Sequence, residues 1–315
     1  MSTISDKAVI QTKSLGKNII VHEFAIIRPG ARIGNNVVIH PHAVINEDVV
    51  IGDGVNVLPG AVIGMKTTAH DLPVPKAGGE QKLIIGPNCT IGSQAILYYN
   101  IEIGANSKID SHCEIGYPTE LAEGQPTKIG PEARIRSHSV FYQGSTFGPE
   151  LLTGHRVTVR ENTIAGKNFQ IGTLSDIQGD CVIGDYVRFH SNVHMGKKTT
   201  IGNFVRVAPY VVFTNDPTPP SDDLVGAVIK DFASIATMAV ILPGVVIGSH
   251  TLVGAHSMVK NDVPEGMFAA GAPAQIIKPA AEIKRNDGSG KQAYPWTRHF
   301  SRGYPKNIVD EWKRD

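Results

Sequence analysis

An aliphatic residue recurs every six positions along most of this chain. It falls at Val9, Leu15, Val21, Ile27, Ile33, Ile39, Ile45, Ile51, Val57 and Ile63 without a slip. The phase breaks, then resumes at Ile85 through Ile115, Ile129 through Phe147, Val159 through Phe213, and Ile229 through Val259. Counted this way the sequence holds 36 hexads. A fixed short period over so many copies is the signature of a repeat architecture, and it overrides any guess from length alone.

The rest of each hexad is constrained too. Four positions after the aliphatic residue comes a small or β-branched side chain, such as Val37, Ala43, Val49, Ala61, Val187, Val205 or Ala239. Turn formers sit between them, as in Asn35-Asn36 and Asp53-Gly54. The pattern predicts a very short strand followed by a two-residue turn. The small residue and the next aliphatic one are two apart, so both face inward. The three cysteines, Cys89, Cys113 and Cys181, all occupy the small inward position. They read as packing thiols, and they match neither a disulfide framework nor a paired metal motif.

Composition fits this reading. Aromatics are 6% against 41% hydrophobic residues, so Ile, Val and Ala must fill the core, and the 33 Gly and 20 Pro serve as turn residues. Lys+Arg 30 against Asp+Glu 29 leaves a formal net charge of +1. That balance lacks the clustered positive excess of a nucleic-acid footprint. No apolar run approaches the roughly 18 residues of a membrane span. The polar stretch from Met1 to Lys13 lacks the apolar segment of a secretion signal, so a cytoplasmic location is expected.

The hexad pattern resembles that of left-handed parallel β-helix proteins with hexapeptide repeats. That resemblance implies three hexads per triangular coil, hence an all-β helix of about 12 coils over residues 1–279 and a short tail over 280–315. The left-handedness comes from the resemblance.

A regular coil has little concavity, so its interruptions are the places to look for a site. Four are expected, at 64–84, 116–128, 148–158 and 214–228. Counting by 18 stacks one coil on the next. It sets Met195 beneath Phe213, Lys197 beneath Asn215 and Lys198 beneath Asp216. His190, Asn192 and His194 then bracket one corner beside the fourth interruption. An imidazole there, among amide and hydroxyl groups, suits general-base work. Two exposed histidines on a solvated face is the competing reading. His40, His42, His112, His138, His250 and His256 fall on scattered outward or turn positions, and His155 lies in the third interruption.

Residues 239–279 carry the most specific signal. Leu242-Pro243-Gly244, Ile247-Gly248, Val253-Gly254-Ala255, Asn261-Asp262-Val263-Pro264 and Gly271-Ala272-Pro273-Ala274 are similar to the closing coils of hexapeptide acyl-CoA transferases. In that family acyl-CoA lies in a groove between two subunits of a trimer. The resemblance implies acetyl-CoA or another acyl-CoA as co-substrate, with Ala255, Lys260, Gly271, Pro273, Ala274 and Lys278 holding it. It also implies a homotrimer with sites between subunits. No metal is expected. Phe213-Thr214-Asn215-Asp216-Pro217 resembles a loop of transferases that N-acylate nucleotide-linked amino sugars. By that likeness Asn192 orients the amine and Asn215 and Asp216 contact the substrate, and the base is left to His194, His190 or the substrate itself. Galactoside-type relatives carry a catalytic His in this loop, and this sequence has none there.

The tail departs from the repeat and holds both tryptophans, Trp296 and Trp312. Pro305 to Lys313 reads as a short amphipathic helix with Ile308, Val309 and Trp312 on one face. Its aromatic stripe is expected to pack against the coil or a neighbour. The function expected from the whole is acyl transfer, N-acetyl transfer above all, to a nucleotide-linked amino sugar in surface polysaccharide synthesis. O-acetylation of a sugar hydroxyl, a non-catalytic β-helix scaffold, and a γ-class carbonic anhydrase with three zinc-binding histidines are the alternatives.

Overall fold

The structure, a computed structural model, describes residues 2–66 and 82–312. Most of the first expected interruption, 67–81, therefore lies outside the described residues, as does Lys313. The chain divides into two compact units, Met1–Cys181 and Val182–Asp315.

In the first unit, two-residue strands such as Val38–Ile39, Val44–Ile45 and Val50–Ile51 go in turn to three different parallel sheets. Each strand pairs with the one three along, as Ile20 with Val38 and Val38 with Asn56. We call the three faces A, B and C in that order. The strands are short because the chain must turn after each. The second turn residue sits in the left-handed region, as Asn36 (φ 55°), His42 (φ 61°) and Asp48 (φ 58°) do, and Asn and Asp tolerate that conformation best among residues with a side chain. Val37, Ile39, Ala43, Ile45, Val49 and Ile51 are all buried, so the inward pair expected from each hexad forms the core. Cys89, Cys113 and Cys181 are buried in it as free thiols.

The second interruption is real. It carries a short 3-10 turn, Glu120–Ala122, capped by the Thr119 side chain. Asn100 and Asn162 donate side-chain hydrogen bonds to the carbonyl oxygens of Gly124 (2.8 Å) and Leu121 (2.9 Å), pinning it to one corner. The third interruption does not exist. Residues 148–158 form a regular coil with a strand at Leu152–Thr153. Thr153 fills the inward aliphatic slot, buried, and its hydroxyl accepts a hydrogen bond from the Arg136 backbone N–H at 2.9 Å. A threonine in an isoleucine's place concealed the hexad.

The second unit repeats the three faces. Arg188–Phe189 lies on face A, His194–Met195 on B and Thr200–Ile201 on C. A five-residue strand, Met267–Gly271, follows on face A and turns back as an antiparallel hairpin with Ala274–Pro279. The strand at Thr153, the first strand Thr3–Ile4 and this last one all lie on face A and escape the aliphatic count; with them that face carries 14 parallel strands among the described residues. The solenoid has about 14 turns rather than about 12.

At the corner from face C to face A, the first unit stacks polar side chains, and Asn18 hydrogen-bonds to Asn36, and Asn88 to Asn106, at 3.3 Å in each case. The second unit places Tyr186, Phe204, Phe232 and His250 at that position. Their rings stack in sequence at centroid spacings of 5.2, 4.8 and 4.9 Å. The tail packs on this ladder. Trp296, Tyr304 and Val309 are buried with Tyr186, and Ile308 and Trp312 of the helix Lys306–Trp312 lie against them. The stripe expected to pack does so, within its own chain.

Candidate functional site

The site expected around His190, Asn192 and His194 lies at the corner between faces A and B of the second unit. His190 follows the face A strand and is exposed, and its ring Nδ1 accepts the Ser191 backbone N–H at 3.0 Å. Asn192 takes the left-handed turn position (φ 60°). His194 begins the face B strand, half-buried, and points outward because its neighbour Met195 fills the core. Its register partner is Val212, and Met195 pairs with Phe213, as counting by 18 requires.

Beyond Asn215 that count fails. Thr200 pairs with Val228, an offset of 28. Ten extra residues have left the coil, so Lys198 does not lie beneath Asp216. A Cβ on Gly226 would meet the Lys198 carbonyl carbon and oxygen at 2.1 Å, so Gly226 stands directly over Lys198. Lys198 Nζ donates to the Leu224 carbonyl oxygen at 3.2 Å. Asn215 still keeps the 18-residue offset: a Cβ on Gly196 would lie 3.1 Å from both Cβ and Cγ of Asn215, the same approach that Gly34 makes to Asp53 in a regular coil. Close backbone approach explains glycine at 196 and 226.

Asp216 holds its own loop together. Its carboxylate accepts from Thr218 N (3.0 Å), Ser221 N (2.8 Å) and Ser221 Oγ (2.7 Å). These bonds, the Ser221 hydroxyl first, hold its carboxyl below the usual aspartate range.

Two edges therefore frame face B in this unit. Along one, the turn residues Asn192, Tyr210, Met238 and His256 stack in sequence through backbone bonds Tyr210 N–Ser191 O (3.2 Å), Met238 N–Pro209 O (3.1 Å) and His256 N–Thr237 O (3.0 Å). Ala255 precedes His256 on this edge and is exposed. Along the other stand Gly196, Thr214 with its loop, Leu242 and the exposed Lys260, linked by Gly196 N–Phe213 O (2.9 Å), Thr214 N–Ile241 O (3.0 Å) and Leu242 N–Val259 O (2.9 Å). Between them run His194, Val212, Val240 and Met258, all half-buried. Three coil steps separate Asn192 from His256, roughly 14 Å at the interstrand spacing.

The closing hairpin divides the remaining expected residues. The Gly271 backbone N–H donates to Ser257 Oγ at 3.2 Å, which brings the turn with Pro273 and Ala274 to the Ala255 edge. Lys278 pairs with Phe268 and belongs to face A. Tyr210 (52% exposed) and Met238 (43%) on the edge were not singled out from sequence. Spacings of 18 and then 28 from Asn192 find them once the loop length is known. Among the described residues no three His, Cys, Asp or Glu side chains gather where they could hold a metal ion, and no helix is long and apolar enough to cross a membrane.

The profile of the bacterial transferase hexapeptide family (six repeats) matches residues 12–47, 30–64 and 82–117. The bifunctional protein GlmU of Exiguobacterium sibiricum is 28% identical over 208 residues, which cover 62% of this chain and 41% of that protein. The galactoside O-acetyltransferase of Escherichia coli K12 is 26% identical over 182 residues, covering 51% of this chain and 83% of that one. A solved structure of serine acetyltransferase in complex with cysteine is 26% identical, with a TM-score of 0.32, over 40% of this chain and 47% of that chain. The chain thus spans about two fifths of the length of the bifunctional relative. Over the matched repeats, in a coil where every face takes one short parallel strand per turn, the chain is similar to the bacterial transferase hexapeptide family.

Proposed function

We propose that the chain is an acyl-CoA-dependent acyltransferase that acetylates the amine of a nucleotide-linked amino sugar for surface polysaccharide synthesis. The observation that carries the reading is the framed face B of the second unit. It sets one half-buried imidazole, His194, at one end of a strip bounded by the Asn192–His256 edge and the 214–227 loop. A thin thioester arm fits along the small-residue edge past Ala255 and the Gly271–Ala274 turn, and Lys260 offers a point charge for a phosphate.

In this reading the sugar amine attacks the thioester carbonyl carbon. His194 or His190 takes the amine proton, the C–S bond breaks, and the thiolate leaves to be protonated as free CoA. Asn192 orients the amine and Asn215 borders the acceptor. Asp216 shapes the acceptor side through the loop it pins. Holding both substrates in one strip supplies much of the rate through proximity. The functional form is a left-handed helix in a cytoplasmic homotrimer with its sites between subunits. The exposed Tyr210 and Met238 beside Asn192 support such a contact. Sedimentation analysis decides the trimer.

The test is release of free thiol from acetyl-CoA with a panel of UDP- and dTDP-linked amino sugars. Turnover with an amine acceptor is expected, and no turnover with any amine or hydroxyl acceptor sinks the proposal. Transfer to a sugar hydroxyl is the second reading. The match over 83% of a galactoside O-acetyltransferase favours it, and the same panel with hydroxyl-only sugars separates the two.

A further inference from the structure

The corner between faces A and B of the first unit holds a concavity. It is lined by Ser137, His138, His155, Arg156, Thr173 and Leu174. Three successive coils supply these residues in pairs, because the two turn positions of each coil stack on those of the next. His138 N–Ser111 O (3.2 Å), Arg156 N–Ser137 O (3.0 Å) and Leu174 N–His155 O (3.0 Å) fix that stacking.

The lining is chemically one-sided. It contains two imidazoles, a guanidinium and two hydroxyls, and no carboxylate. On the same edge Arg136 is compensated, meeting Asp110 at 3.6 Å. Arg156 makes no such pair among the described residues. It is exposed, with its backbone in the left-handed region (φ 55°) that asparagine would fill with less strain.

The donors are pre-arranged. Ser137 Oγ and His155 Nδ1 lie 2.8 Å apart. Whichever donates, this bond fixes the ring, and the far nitrogen of His155 is left for a ligand. Thr173 Oγ1 accepts the His155 backbone N–H at 3.2 Å, so its own hydroxyl proton is available to donate. The His138 ring stacks on His112 at 4.9 Å, which holds it at the rim. The exposed Leu174 forms an apolar shelf beside these groups.

From this arrangement we infer that the Ser137–His155–Arg156 corner is a second small-molecule site, which binds the phosphoryl group of a phosphorylated metabolite. A guanidinium fork matches phosphate geometry, and charge-assisted bonds from hydroxyl and imidazole complete a tetrahedral oxyanion shell. The Leu174 shelf gives the organic part of the ligand an apolar contact. The inference is independent of acyl transfer, since none of its residues belongs to the face B strip.

The test is a titration of the full chain followed by the imidazole C2–H proton resonances. Inorganic phosphate is one arm and a nucleoside monophosphate the other. Saturable shifts of His138 and His155 are expected in both arms, with tighter binding of the nucleotide if the shelf contributes. Equal affinity would reduce the ligand to free phosphate. Loss of one charge-assisted contact in Arg156→Asn, which suits the left-handed turn, should weaken binding about tenfold or more. Ser137→Ala should weaken it less and leave the fold intact by circular dichroism. Unshifted imidazoles, or equal binding by Arg156→Asn and the parent, would overturn the assignment.

Discussion

The indole Nε1–H of Trp296 donates to the carbonyl oxygen of Phe232 at 3.1 Å, which ties the tail to a turn of the coil 64 residues earlier. Trp296 also stacks on Tyr304 at 5.7 Å, and the guanidinium of Arg188 lies 4.7 Å from the Tyr304 ring centroid. Removing the indole therefore strips both a hydrogen bond and a buried surface. Trp296→Ala should cost about 3–5 kcal/mol of the second unit's stability, read from urea denaturation by circular dichroism. An unchanged midpoint would mean that the tail is not docked in solution.

The loop over residues 214–227 should depend on glycine at 226. A methyl there meets the Lys198 backbone at 2.1 Å, which no side-chain rotation relieves. Gly226→Ala should destabilise by about 1–3 kcal/mol, the usual range for overpacking. It should also raise the KM for the sugar acceptor more than that for acyl-CoA.

Asp216 should make the same loop acid-sensitive. Its carboxyl lies below the ordinary aspartate range because Ser221 and Thr218 donate to the charged form. A depressed carboxyl contributes stability above its unfolded value and loses it as pH falls through the folded one. Amide exchange of Ser221 should accelerate on acidification, and Asp216→Asn should show fast exchange already at neutral pH. Slow exchange in that variant would remove the carboxylate from the account.

His194→Ala should lower kcat by about a hundredfold or more, the range for loss of a general base, with little change in the KM for acyl-CoA. His190→Ala, which removes a fully outward ring, should cost less. If both variants keep full activity, the amine loses its proton to solvent.

The buried thiols should be inert in the folded chain. Burial pushes the Cys113 thiol up to about 11 from an ordinary 9.0 and raises Cys89 as well. A thiol reagent attacks the thiolate, so the native protein should react only as it unfolds. Because the folded chain keeps a proton that the unfolded one gives up, stability should fall as pH rises from 9.0 toward about 11. Rapid native-state labelling would mean that the core opens locally.

The solenoid was legible because its inward slots repeat every six residues and admit few side chains. Legibility failed where a slot was filled by chemistry rather than by class. Thr153 satisfies its hydroxyl inside the core and so passes for a loop residue. The excursion expected at 214–228 is visible in the sequence, although Val228 already belongs to the next strand; its length in coil terms is not visible, so a count by 18 sets Lys198 beneath Asp216 instead of Gly226. His190, Asn192 and His194 fall at the expected corner because nothing interrupts the count around them. The partner of the tail was harder to read. Tyr186, Phe204, Phe232 and His250 are spaced 18, 28 and 18 apart, and only knowledge of the insertion reveals them as one ladder.

That insertion has a wider consequence. Ten residues leave the coil between Phe213 and Val228, yet Phe213 still pairs with Ile241 and Ile229 with Ile247, the same faces on the next turn. Face and core are thus set coil by coil, and a segment spliced in at a corner perturbs no other address along the stack. The architecture behaves as a rack with fixed slots, in which recognition loops can be lengthened, shortened or exchanged while the frame that orients them stays the same.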